Sequence, residues 1–224
     1  MAINRAYGGP SDLPDIIPLF PLEGVLLLPR GQLPLNIFEP RYVAMVDAAL
    51  AGARLIGILQ PALDGGTDET GPRLTTVGCV GRITEIAESG DGRYILNLTG
   101  IARFRVLREV EADTPFRQAQ VDYAGFRDDF TANAGAEAVD RGTLLRTLAD
   151  YLDANQLEAD WTSIKDAPNE ALVNALAMMA PFGPREKQAL LEAPSLAARA
   201  EMLIAVTQMS LARTAGGDGD TSLQ

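Results

Sequence analysis

The chain has 224 residues, enough for one large domain or two small ones with a real core, and its 47% hydrophobic and 22% charged residues are ordinary globular values. Nineteen Lys and Arg against 30 Asp and Glu leave a net charge of −11, and neither half of the chain is basic, which disfavours nucleic acid and anionic membrane as partners. Histidine is absent, which removes His-based triads and His metal ligands, and the single Cys79 excludes an intramolecular disulfide.

The first residues, Met1-Ala2-Ile3-Asn4-Arg5, contain no apolar run of the signal-peptide kind. No stretch approaches the roughly 18 apolar residues of a membrane span, so the expected compartment is the cytoplasm. Residues 1–14 read as an N-terminal extension. From 15 to 124, short β-rich runs are cut by Gly and Pro, with strands expected at 16–19, 25–28, 33–37, 55–59, 79–87, 94–98, 103–109 and 118–123. Pro34 falls inside an alternating run and must sit where no ladder donor is needed. One helix interrupts the strands, opening at Pro40 with Tyr42, Met45, Val46 and Ala49 on one face. Residues 64–71 are rich in Gly, Asp and Thr and read as a mobile loop; Ser89-Gly90-Asp91-Gly92-Arg93 reads as a hairpin turn.

Residues 125–132 read as a solvated hinge containing Asp128 and Asp129. From 133 to 213 the spacing turns helical. Leu144, Leu145, Leu148, Tyr151 and Leu152 mark one helix; Leu172, Val173, Leu176 and Met179 mark another. Gly183-Pro184 opens a third and Ser195 caps a fourth, while residues 214–224 read as a disordered tail. The expected fold class is therefore α+β, a curled β-rich unit followed by a helical bundle.

Three motifs carry a family resemblance. The first is Ile17-Pro18-Leu19-Phe20-Pro21-Leu22 with Leu33-Pro34-Leu35-Asn36-Ile37-Phe38-Glu39-Pro40-Arg41-Tyr42. The second is Val77-Gly78-Cys79-Val80-Gly81-Arg82-Ile83, and the third is Asp91-Gly92-Arg93-Tyr94-Ile95-Leu96-Asn97-Leu98-Thr99-Gly100, continuing to Arg103-Phe104-Arg105-Val106. In order and spacing they resemble the Lon protease N-terminal substrate-binding domain. The resemblance implies a PUA-like β-rich pseudo-barrel followed by a helical bundle. It also implies recognition of unfolded or extended polypeptide, with a separate Lon-type protease as a further partner.

No phosphate loop is present: the two lysines, Lys165 and Lys187, follow no glycine. Ser163 and Lys165 flank an expected loop and match no peptidase motif, and Cys79 lies in an apolar strand without a base. No catalytic residue, cofactor or metal site is therefore expected. Phe38, Glu39, Arg41, Tyr42, Arg103 and Arg105 are the candidate substrate-contact residues. Each also has a plain structural reading: Phe38, Tyr42 and Phe104 as core, Glu39 and Arg41 as a pair pinning the helix, and Arg103 and Arg105 as exposed strand arginines. The runner-up function is an RNA- or nucleotide-binding module of PUA-like fold, an analogy at fold level that the acidic balance opposes.

Overall fold

The computed structural model describes residues 6–68 and 71–217. Its first half is a sheet of six strands: β1 (Ile16–Pro21), β2 (Gln32–Ile37), β3 (Leu55–Leu59), β6 (Val77–Glu88), β7 (Tyr94–Val110) and β8 (Gln118–Asp122). Two short strands, β4 (Thr67–Asp68) and β5 (Gly71–Pro72), pair with each other inside the expected loop, which an Asp64–Arg73 ion pair also braces.

The strand order is β2-β7-β6-β3-β1-β8, and β8 pairs again with β7. The sheet therefore closes into a five-stranded barrel, with β2 added outside as a sixth strand on the first half of β7. Residues 94–98 and 103–109, expected as two strands, are one strand of 17 residues. A bulge between Val80 and Gly81 lets β6 follow it round the curve.

Inside the barrel, Ile17, Leu19, Leu55, Leu59, Val80, Phe104 and Val121 form a buried cluster. The Phe104 ring explains two glycines, Gly78 of the second motif and Gly57 of β3. A Cβ on Gly78 would lie 2.5 Å from Phe104 Cζ and 2.6 Å from the Ile58 carbonyl oxygen, and one on Gly57 would lie 3.0 Å from the same ring carbon. A side chain at either position would displace the ring or the neighbouring strand.

The expected strand at 25–28 does not form. Leu26, Leu27 and Leu28 are all buried, but no neighbouring strand pairs with them. The run passes instead as irregular backbone between barrel and helices, turning at Arg30, whose φ of 63° is in the left-handed region.

Helix α1 (Pro40–Ala51) buries Met45, Val46 and Ala49 against the sheet, as its spacing predicts. The second half contains α2 (Arg141–Ala154), α3 (Trp161–Asp166), α4 (Asn169–Met179), α5 (Pro184–Glu192) and α6 (Leu196–Gly217). Ser195 caps α6, its hydroxyl accepting from Ala198 N at 3.1 Å. The expected tail is thus helical to Gly217, and the rest of it lies outside the described residues. Barrel exterior and helical half share one apolar cluster, which runs from Leu27, Met45 and Cys79 to Leu172, Leu190 and Leu203. The expected barrel-then-bundle order of an α+β fold is borne out.

Helix α3 occupies residues expected as loop. Asp160 makes it possible by accepting from the amides of Thr162 and Ser163 at 3.0 and 3.2 Å. The Ser163 hydroxyl donates to the same carboxylate and, with the amides, holds it below the usual carboxylate range. A depressed folded-state pKa stabilises above the unfolded value, roughly 4, and that contribution is lost as pH falls through the lower folded-state value. Asp160→Ala is accordingly expected to lower Tm at about pH 7, and the gap to the parent should close by about pH 2 in a thermal melt series.

Candidate functional site: apolar hollows on the helical half

The structure separates the sequence-derived candidates. Phe38 is not core; it is 61% exposed, because it follows the last residue of β2 and only Ile37 turns inward. Glu39 and Arg41 pair with each other at 2.8 Å on the surface, and Glu39 makes no capping bond. They do not pin the helix. That role falls to Tyr42, whose ring lies 4.3 Å from that of Phe20, and to Tyr94, which donates to Asp47 at 2.8 Å. Arg41 and Tyr42 do reach a common cleft of about 710 Å³, walled opposite by residues 109–117 of the β7–β8 turn. There Arg117 Nε donates to Glu109 at 2.7 Å, so the cleft floor carries opposed charges already paired.

Arg103 is not an exposed strand residue but is 4% exposed, while Arg105 lies exposed two positions on. The alternation of β7 puts Arg103 on the outer barrel face that the helical half covers. Its backbone N–H and Nε both donate to Asp129 Oδ2 at 2.8 Å, Nη2 donates to Oδ1 at 2.8 Å, and Nη1 donates to the carbonyls of Leu191 and Ala193 at 3.1 and 2.6 Å. The ring of Phe126 lies 4.7 Å from the guanidinium carbon. Asp129 is thus buried in 3-10 turns (Ala124–Phe130) and is not part of a solvated hinge. Arg103 acts here as the joint between β7, that segment and the α5–α6 turn.

Other polar side chains complete the seam. Gln60 Nε2 donates to Pro184 O and Gln188 Oε1 at 3.0 and 3.1 Å, and Gln188 donates to Val77 O at 3.2 Å. Glu170 accepts from Arg30 and from Asn133 N, so one carboxylate holds two left-handed residues, one from each half. Arg199 donates to Leu190 O and Asn174 Oδ1 at 2.9 Å each. Burial and the neighbouring Arg103 push its pKa down to about 10, which leaves it charged at neutral pH. Gln60, Gln188 and Glu170 tie the two halves together, while Arg199 braces α4, α5 and α6, its Nη2 buried without a hydrogen-bond partner.

The surface with open capacity was missed by the sequence reading. Three hollows follow one another along the helical half. The first, about 470 Å³, lies between the 29–32 turn, Asn133 and α4. The second, about 270 Å³, lies between α2, the end of α4 and α6, and no charged side chain lines it. The third, about 130 Å³, lies between α5 and the end of α6. The first two share Met179 and the last two share Pro181 and Phe182, so the three adjoin as a track of neighbouring hollows. Met179, expected on a core face, is 81% exposed on the lip; Leu157 and Met209 stand 53% and 56% exposed beside it. The signal in the sequence is the surplus of apolar residues at the end of α4, Met178-Met179-Ala180-Pro181-Phe182, beyond what one helix face can bury.

Cys79 is fully buried, and burial raises its thiol pKa, which keeps it protonated. Among the described residues no cluster of acidic or cysteine side chains could hold a metal ion, and no helix is long and apolar enough to cross a membrane.

Known proteins fit this picture. Lon protease 2 from Myxococcus xanthus is 28% identical over 198 residues, covering 87% of this chain. The Lon protease of Anaeromyxobacter dehalogenans is 27% identical over 199 residues. The chain spans about a quarter of the length of these curated relatives. Two solved structures share its fold. The crystal structure of a Lon N-terminal domain protein from Xanthomonas campestris has a TM-score of 0.60 and 24% identity, covering 85% of this chain and 97% of that one. The N-terminal domain of Mycobacterium avium complex Lon protease has a TM-score of 0.63 and 18% identity, covering 86% and 98%. Residues 16–208 match the family described as the ATP-dependent protease La (LON) substrate-binding domain, and the chain belongs to that family.

Proposed function

We propose that this chain is a non-catalytic module of the cytoplasm that binds unfolded or extended polypeptide, with a separate Lon-type protease as its second partner. The observation that carries the reading is the track of three neighbouring hollows, whose apolar middle suits side chains that folded proteins keep inside. Membership of a substrate-binding family supports it. The seam residues are occupied structurally, and the Ser163 hydroxyl serves the cap of α3, which supports binding without catalysis. Arg41 and Tyr42, in the cleft on the barrel, and the exposed Phe38 belong to a second contact area.

Ordering a flexible chain offsets much of the contact energy, so a single site should bind with micromolar or looser Kd, about −8 kcal/mol or weaker. The test compares a permanently unfolded protein, the same protein folded, and a structured RNA at physiological salt. Preference for the unfolded protein is expected. Tight, salt-resistant RNA binding with no affinity for unfolded chains would transfer the fold to the nucleic-acid reading.

A further inference from the structure

We propose that Met179 and Met209, which line the track from its exposed edge, are modification sites: peroxide oxidises their thioethers and thereby loosens the hold of the chain on unfolded polypeptide. This rests on the polypeptide-binding reading and adds its regulation. Among the described residues of the helical half, the exposed large apolar side chains are Leu157, Met179 and Met209, and all three line the track. Met179 belongs to both of the first two hollows and Met209 to the third, so each hollow has a solvent-facing thioether in its lining. In the reduced state such a side chain is apolar and flexible, and fits client side chains of many shapes.

Access separates these two sulfurs from the others among the described residues. Met45 is fully buried, and Met178 and Met202 are packed against the core, with Met178 Sδ standing where a Cβ on Gly31 would fall. Met179 and Met209 are 81% and 56% exposed. The one thiol, Cys79, is shut inside the barrel wall, so the sulfur that an oxidant meets first is thioether.

In the step itself the sulfur lone pair attacks one oxygen of hydrogen peroxide. The O–O bond breaks as the S–O bond forms, the second oxygen leaves as water after proton transfer, and the thioether is oxidised by two electrons to the sulfoxide. A reductase supplied with a dithiol reverses it, the two thiols becoming a disulfide and the oxygen leaving as water. The sulfoxide places a polar oxygen where the track offers apolar contact. No charged side chain lines the groove between α2, α4 and α6, so an apolar client side chain that covers Met179 would bury the oxygen without an ionic partner.

The whole chain is treated with hydrogen peroxide at neutral pH, and the peroxide is removed with catalase. Binding of a labelled, permanently unfolded protein is then read by fluorescence anisotropy, beside peptide mapping by mass spectrometry. Met179 and Met209 should each gain one oxygen before Met45, Met178 or Met202 does. At that point affinity should have fallen about tenfold, in the range for burying an unpaired polar group, with the thermal melt unchanged. Methionine sulfoxide reductase with a dithiol should restore it. In Met179→Leu with Met209→Leu the affinities before and after peroxide should be equal. Met179→Gln with Met209→Gln, which mimics the sulfoxide, should start weak and stay so. Both positions are exposed, so both variants keep the fold. Affinity that holds while both sulfurs are converted, or a peroxide effect undiminished in the Leu variant, would overturn the inference and leave polypeptide binding intact. If the untreated chain binds no unfolded protein, the polypeptide reading itself fails and the inference falls with it.

Discussion

Asp129→Ala is expected to destabilise the whole chain by about 3–5 kcal/mol, the usual cost of removing one partner from a buried ion pair. The Arg103 guanidinium would remain 5% exposed with its principal acceptor gone, and the carbonyls of Leu191 and Ala193 do not neutralise it. For a chain of this size the loss corresponds to a fall in Tm of roughly 6 to 20 °C. Two native probes report it: Trp161 in the helical half and the thiol of Cys79 in the barrel wall, which burial shields until the fold opens. Because the pair fixes β7, the 3-10 segment and the α5–α6 turn together, loss of Trp161 order and exposure of Cys79 should coincide. Arg103→Met with Asp129→Leu should recover part of the loss, because neither charge of the pair is then left buried without the other. A change of under about 0.5 kcal/mol for Asp129→Ala, or a large gap between the two transitions, would show that the joint does not couple the halves.

Gly100→Ala is the other large effect. Gly100 lies where β7 passes the 25–30 segment; its N–H donates to Gly31 O at 2.9 Å and its carbonyl accepts from Arg30 N at 2.7 Å. An added Cβ would fall against the carbonyl oxygen of Leu28, backbone that has no rotamer to change. Either β7 or the buried Leu26–Leu28 run must move, so a loss of about 3 kcal/mol or more in urea denaturation is expected, at the upper end of overpacking costs. Gly125→Ala, with nothing within 4 Å of its added Cβ, is the control and should stay within about 0.5 kcal/mol of the parent.

The sequence made the elements legible where side chains alternate or repeat: β3 at Leu55–Leu59, α1 from Pro40, the opening of α5 at Pro184 and the cap at Ser195. It failed where tertiary contact overrides the local pattern. Residues 25–28 look like a strand because they are apolar, yet they are wedged between two units that the local sequence does not show meeting. Arg103 and Asp129, 26 residues apart, each look solvated alone; only the closure of the barrel against the helices brings them within 2.8 Å. The track was illegible for the same reason, since α2, α4 and α6 converge on it from separate stretches of chain. What composition did convey was the chemistry to set aside.

The appended strand β2 has a consequence for the polypeptide-binding role proposed above. It forms the open edge of the sheet, and its register with β7 runs without interruption through Pro34, which places the nitrogen that lacks a hydrogen on the open side. A passing strand that tried to extend the sheet there would find a donor missing midway. Under the polypeptide-binding role proposed above, β2 thus gives a captured chain no continuous backbone template, which works against the cross-β growth that concentrated unfolded polypeptide is prone to.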